Sequence, residues 1–327
     1  MEAFEYARPA SGKEALDLLG GSFAESEILA GGMDLISLMK NYVLTPKRLV
    51  NIKGISEFSG IRSSPKGLAI GATTTLEELI EHKTIAADYP GLHQAADAIP
   101  SPQIRNMATV GGNLCQRPRC WYFRNGFGLL ARDAKGNALV PGGDNRYHAI
   151  FGNEGPAYFV NGSSLAPALI ALGAQVRIFS ANGWREVAVA DFFRTPLSEN
   201  ERENVLQPKE ILGEIVIPSG SKGLRTATYE VREREALDWP LATASVALKM
   251  SGNKIEKASV VLGYVAPIPW QAKEASDWLA GKTLNEETAA KAGEAAVQGA
   301  KPLSGNKYKV QLARVCVKRA LLAAGRA

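Results

Sequence analysis

Apolar positions along the chain switch between a helical and a strand period, and the switches mark its elements. Phe4 to Arg8 reads as a short strand. The next segment, Ser11 to Leu19, reads as a helix, with Ser11 and Glu14 at capping-box spacing and Gly20-Gly21 as its stop. Glu27 to Ala30 is a second strand that runs into Gly31-Gly32. Asp34 is then placed to cap a helix through Tyr42, with Leu35, Leu38 and Met39 at helical spacing. Arg48 to Ile52 is a third strand. Strands alternating with helices in this way predict a small parallel sheet.

A second segment starts near Ile55. Gly67 to Ala72 is strand-like, Thr75 and Glu78 open a helix in capping-box register, and 85–98 is helical with a break at Pro90-Gly91. From Arg117 to Gly162 periodicity fades into Arg, Gly, Asn and aromatic residues. A stretch of that length reads as one long insertion, and such loops are usually functional or disordered. Order returns with a helix at Ser163 to Leu172 and strands at Gln175 to Phe179 and Ile211 to Ile217. Pro218 to Gly223 reads as a linker. Beyond it come strands at Thr226 to Val231, Ala244 to Met250 and Lys257 to Leu262. Helices follow at Trp270 to Leu279, Glu286 to Gln298 and Val310 to Ala324. The expected division is 1–218, with a small part at 1–54 and a larger part at 55–218 carrying the insertion 115–162, then 224–327.

Composition narrows the classes. The chain has 327 residues, 46% hydrophobic, enough for a sizeable core and about two domains. Three cysteines cannot staple a chain this long, so a disulfide scaffold is excluded. The net charge is +5, and bases alternate with acids, as in Arg232-Glu-Arg234. That is a mixed surface, not the basic stripe of a nucleic-acid binder. No apolar run approaches the roughly 20 residues that span a bilayer. The N-terminal residues do not read as a signal peptide, and a cytoplasmic location is the expectation, periplasmic only by export with a signal-bearing partner.

Two Gly-Gly turns carry the chemistry: Leu29-Ala-Gly-Gly-Met-Asp-Leu35 and Ala108-Thr-Val-Gly-Gly-Asn-Leu114. Paired glycines let main-chain N–H groups converge on an anion such as a pyrophosphate. Each is also an ordinary strand-to-helix turn that needs no ligand. Neither matches the spaced glycines of a Rossmann site or a phosphate loop.

The pair of turns resembles the flavin signature of the FAD-binding (medium) subunit of molybdenum hydroxylases, the xanthine dehydrogenase, aldehyde oxidoreductase and carbon monoxide dehydrogenase type. Ser164 to Leu169, Gln207 to Pro218 and Gly263 to Trp270 extend the resemblance over the chain. It implies an α+β chain. A two-subdomain FAD fold of the vanillyl-alcohol-oxidase (PCMH) type would be followed by a β-β-β-α-α-α domain of the CO dehydrogenase flavoprotein type. It implies that Leu29, Ala30, Gly31, Gly32, Met33, Asp34 and Leu35 wrap the FAD pyrophosphate. Thr109, Gly111, Gly112 and Asn113 would hold its other side and the ribityl chain, with Ile99 and Ile104 against the flavin ring and Leu212 and Ser164 near the cofactor. A valine at Gly32 or Gly111 would then abolish FAD retention without unfolding the chain.

Three departures qualify that picture. Relatives often carry Asp where Ser164 stands. Where the wider fold can bond flavin covalently through a His, this chain has Met33, so FAD is expected to be non-covalent. In a subgroup of relatives the insertion holds a 4Fe–4S cluster on four cysteines, and this loop has only Cys115 and Cys120. A cubane cluster normally takes four thiolates. Cys316 reads as a buried thiol in a helix, and His148, His82 and His93 as exposed. No metal site and no iron–sulfur cluster are expected in this chain. Arg117, Arg119, Trp121, Tyr122 and Arg124 would cover the flavin, meet a partner or simply pack.

The implied function is electron transfer. Partners would be a molybdopterin-binding large subunit and a 2Fe–2S small subunit, with an aldehyde or an N-heterocycle such as a purine as substrate of the complex. No catalytic residues are assigned to this chain. The alternative is a self-contained FAD oxidase or dehydrogenase, with Tyr229, Asp238 and Trp239 as its only candidates for a base site. A flavin-free binding module is the third reading.

Overall fold

The computed structural model describes residues 1–234 and 238–326. Three sheets organise it. The first is the expected small parallel sheet, strand order β1-β3-β2, from β1 (Glu5–Ala7), β2 (Ser26–Leu29) and β3 (Arg48–Asn51). Helix Gly12–Leu18 connects β1 to β2, and the Ser11 hydroxyl accepts from the Glu14 N–H as a cap. Helix Leu35–Lys40 connects β2 to β3.

The second sheet is antiparallel, order β4-β5-β8-β6-β7. Its strands are β4 (Ile61–Ser64), β5 (Gly67–Gly71), β6 (Gln175–Ser180), β7 (Gly183–Ala188) and β8 (Ile211–Pro218). β8 is central and buried almost throughout, which explains its unbroken apolar run. β4 and β7 were not expected. They are edge strands with no fully buried position, so their apolar signal is thin. Helices Leu76–Glu81, Pro90–Asp97 and Leu165–Ala171 share one large core with this sheet. The first is opened by the full capping box of Thr75 and Glu78, and the second carries Pro90 in its first turn.

The third sheet, order β12-β11-β10-β9, is antiparallel. It comprises β9 (Arg225–Val231), β10 (Ala242–Ser251), β11 (Lys254–Gly263) and β12 (Trp270–Gln271). Helices Lys273–Leu279, Glu286–Ala296 and Tyr308–Arg326 cover it with an alanine-rich core. Trp270 is an edge-strand residue and not the start of a helix. Its main chain pairs with Leu262, and its ring stacks on Phe151 at 4.7 Å. The expected linker is an ordered 3-10 turn, Ser219–Ser221, anchored by the buried Ser221 hydroxyl on the Leu172 carbonyl.

The long insertion is a packed layer. Phe123, Leu129, Leu130, Ala157 and Phe159 form a separate small core with Leu38 of the helix after β2. Cys316 is buried in the last helix, as expected, and its thiol lies against the Ala242 carbonyl.

Candidate functional site

A cavity of about 220 Å³ opens where the first sheet, the helices of the second and the insertion meet. Fourteen of the fifteen expected site residues line it. Ala30, Gly31, Gly32, Met33, Asp34 and Leu35 form one wall. Opposite stand Ile99, Ile104, Thr109, Gly111, Gly112 and Asn113, with Ser164 and Leu212 completing the lining. Leu29 does not line it. Its residue is the last of β2, paired with Asn51, and its side chain supports the turn beside Gly32.

The first Gly-Gly turn is open to a ligand. Among the described residues, the N–H groups of Gly31, Gly32, Met33, Asp34 and Leu35 donate to no protein acceptor. Gly32 has φ +75°, the left-handed region that favours glycine. The turn is held by Ile36 N–H on the Gly32 carbonyl, 3.2 Å, and by the Lys53 ammonium on the Ala30 carbonyl, 2.7 Å. Five unpartnered N–H groups at the rim of a cavity are the arrangement that main-chain anion sites use.

Asp34 stands at the N-cap position of helix Leu35–Lys40, as expected, but its side chain makes no capping bond. Its carboxylate instead faces the insertion. It accepts from the Arg117 N–H at 2.7 Å and the Arg124 guanidinium at 2.6 Å, and lies 3.3 Å from Arg119.

The second Gly-Gly turn works differently, and the expectation that it offers free N–H groups is corrected. It is the first turn of helix Val110–Cys115. Val110 donates to the Thr74 carbonyl, Gly111 to Ala72, Gly112 to the Thr109 hydroxyl and Asn113 to the Thr109 carbonyl, at 2.8–3.1 Å. A Cβ on Gly111 would lie 2.7 Å from that of Ala72, so this glycine allows close packing. Asn113 braces the next helix by accepting from the Ser163 hydroxyl and the Leu165 N–H. Ser164 shares a 2.8 Å bond with the Tyr264 hydroxyl, which also donates to the Gly162 carbonyl.

Inside the insertion, His148 is buried and not exposed. Its Nε2 lies 3.2 Å from the Cys120 sulfur, and its Nδ1 has no partner among the described residues. Burial, helped by the Lys309 charge, holds its pKa down at about 4, so the ring is neutral at pH 7. Burial pushes the Cys120 thiol up and the Cys115 thiol to about 12. Cys115 lines the first cavity, whereas Cys120 lines a second one. Among the described residues, no three His, Cys, Asp or Glu side chains converge as metal ligands. Of the other two histidines, neither is fully exposed.

Sequence reading missed Lys309. Its buried ammonium donates to the Tyr147, His148 and Tyr264 carbonyls at 2.7–3.1 Å, tying the insertion to the last helix. Burial lowers its pKa to about 7. The sequence around Lys309, Asn306 to Gln311, offers no signal for such a clasp, because its three acceptors are main-chain oxygens.

The candidates for a self-contained enzyme do not form a base beside the cavity. Tyr229 lies on β9, away from both cavities, with Arg319 donating to its hydroxyl. Asp238 is engaged by Arg234 and faces the second cavity. Trp239 lines both cavities, under the Arg119 guanidinium at 4.3 Å, and has no proton to exchange near neutral pH.

A mixed α/β chain with a glycine-turn cavity and a separate sheet-and-helix C-terminal unit matches known families at this point. Residues 2–220 match the FAD binding domain in molybdopterin dehydrogenase, and residues 227–324 the CO dehydrogenase flavoprotein C-terminal domain. The chain therefore belongs to the FAD-binding subunits of the molybdenum hydroxylase family. It is 32% identical over 324 residues to the carbon monoxide dehydrogenase medium chain of Afipia carboxidovorans, covering 98% of this chain and 96% of that one. It is 29% identical over 322 residues to the aldehyde oxidoreductase FAD-binding subunit PaoB of Escherichia coli, covering 96% of each. Among solved structures, carbon monoxide dehydrogenase from Hydrogenophaga pseudoflava superposes with a TM-score of 0.78 at 28% identity, covering 99% of this chain and 97% of that one.

Proposed function

We propose that this chain is the electron-transfer subunit of a molybdopterin-dependent hydroxylase or dehydrogenase acting on an aldehyde or an N-heterocycle. The observation that carries the reading is the row of five open N–H groups, Gly31 to Leu35, at the rim of a mainly apolar cavity. A diphosphate fits that row, because each N–H is a donor without an acceptor. Ile99, Ile104 and Leu212 offer apolar side chains for a flavin ring, and Ser164 a hydroxyl already held by Tyr264. FAD supplies the redox chemistry when bound. This chain's residues orient it, exclude water and set its surroundings. Met33, which stands where a histidine could link to flavin, leaves the attachment non-covalent.

Under the same proposal a molybdopterin-binding large subunit and a 2Fe–2S small subunit complete the complex and bring electrons to this chain. The substrate is contacted in the large subunit. The first 218 residues bind the cofactor, and 224–327 form the C-terminal domain. The location is cytoplasmic. Among the described residues no helix is long and apolar enough to cross a membrane.

Co-expression with a molybdopterin-binding subunit and a 2Fe–2S subunit from the same genome tests this. The three chains should co-purify, and aldehyde or N-heterocycle should bleach the flavin absorbance anaerobically. Turnover by the isolated chain, with no gain on adding partners, would favour the self-contained enzyme instead.

A further inference from the structure

The carboxylate within the open turn bears directly on the anion expected there. Asp34 is mostly buried, and a lone carboxylate beside a diphosphate would repel it. The insertion resolves this. Arg124 meets Asp34 at 2.6 Å with its own side chain only 13% exposed, and Arg119 stands 3.3 Å from the same oxygen. Two guanidiniums against one carboxylate leave a net positive charge beside the N–H row. Both arginines are themselves fixed. Arg124 donates to the Pro118 and Arg117 carbonyls, and Arg119 donates to the Gln116 side chain and lies over the Trp239 ring. The Arg117 N–H completes the grip on the second Asp34 oxygen.

We infer that Arg119 and Arg124 of the insertion are positioning residues for the FAD diphosphate, reversing the local charge at Asp34 and holding its turn open. The inference rests on the FAD reading above. It gives the cysteine-poor insertion a task at the cofactor: an ionic strap on the pyrophosphate turn.

The test uses purified full chain freed of flavin, titrated with FAD and with riboflavin, which has no phosphates, at low and high salt. Arg124→Gln should raise the Kd for FAD about tenfold or more at low salt and leave that for riboflavin unchanged. The double variant Asp34→Asn/Arg124→Gln should recover most of the loss, since the unpaired carboxylate is gone. Equal loss for both flavins would show a merely structural contact and overturn the inference. So would an unchanged FAD Kd, or a double variant no better than the single. Should Arg124→Gln not fold, Arg119→Gln carries the same test, with a smaller but equally FAD-selective loss expected. If the wild-type chain binds no FAD, the proposed function itself has failed, which is distinct from wild-type binding with insensitive variants.

Discussion

A Cβ added to Gly31 would lie 2.0 Å from the carbonyl oxygen of Met107. The two glycine turns therefore meet: the first leans its backbone on the residue just before the second. That contact joins the small parallel sheet to the helical wall of the cavity, and it sets how far apart the two sides stand.

Gly31→Ala should destabilise the flavin-free chain by about 3 kcal/mol, because a backbone carbonyl cannot yield as a side chain can. Gly32→Ala should cost about 1 kcal/mol, the strain of a left-handed residue. Urea unfolding of both variants checks the order, and a larger loss at Gly32 would contradict this account. Gly111→Val, which the sequence suggested as a clean probe of FAD binding, should instead prevent folding, since it collides with Ala72.

Much of the cavity was legible in the chain because its motifs are local. Leu29 to Leu35 and Thr109 to Asn113 each occupy a few residues, and strand-to-turn patterns announce them. Partnerships were not legible. Asp34 and Arg124 are 90 residues apart, and nothing in the first turn says that its carboxylate faces an insertion arginine. His148 read as exposed because its loop lacks periodicity, yet the loop packs through Phe123, Leu129 and Phe159 onto Leu38. The glycines of the second turn looked like those of the first, but hydrogen-bond bookkeeping separates them. One set of N–H groups is open and the other is spent on Ala72, Thr74 and Thr109.

Acid should loosen the insertion through His148. Its folded pKa of about 4 is below the ordinary 6.5, so between those values the unfolded chain binds a proton that the folded chain refuses. Stability then falls as pH drops from about 6.5 towards 4, by up to about 3 kcal/mol. His148→Gln should flatten this part of the stability profile. An equally steep decline in the variant would assign the effect elsewhere.

Tyr264→Phe removes a buried hydroxyl that serves both Gly162 and Ser164. The expected loss is about 1–3 kcal/mol, the usual range for leaving buried polar groups unpaired. Thermal unfolding of the flavin-free variant measures it, and an unchanged melting temperature would show that these groups are not bonded in solution.

Purified chain should hold no stoichiometric iron or acid-labile sulfide. Cys120 is engaged with His148, and Cys115 lines the other cavity with its thiol held protonated by burial. Iron that survives anaerobic purification and disappears in Cys120→Ser would overturn the ligand count.

The central claim is that this chain holds one dissociable FAD on the Gly31–Leu35 turn. Acid precipitation of the purified chain, with chromatography of the released flavin, measures it most directly. About one FAD per chain should appear in the supernatant; flavin retained in the pellet, or a chain that takes up no FAD at all, would contradict the account.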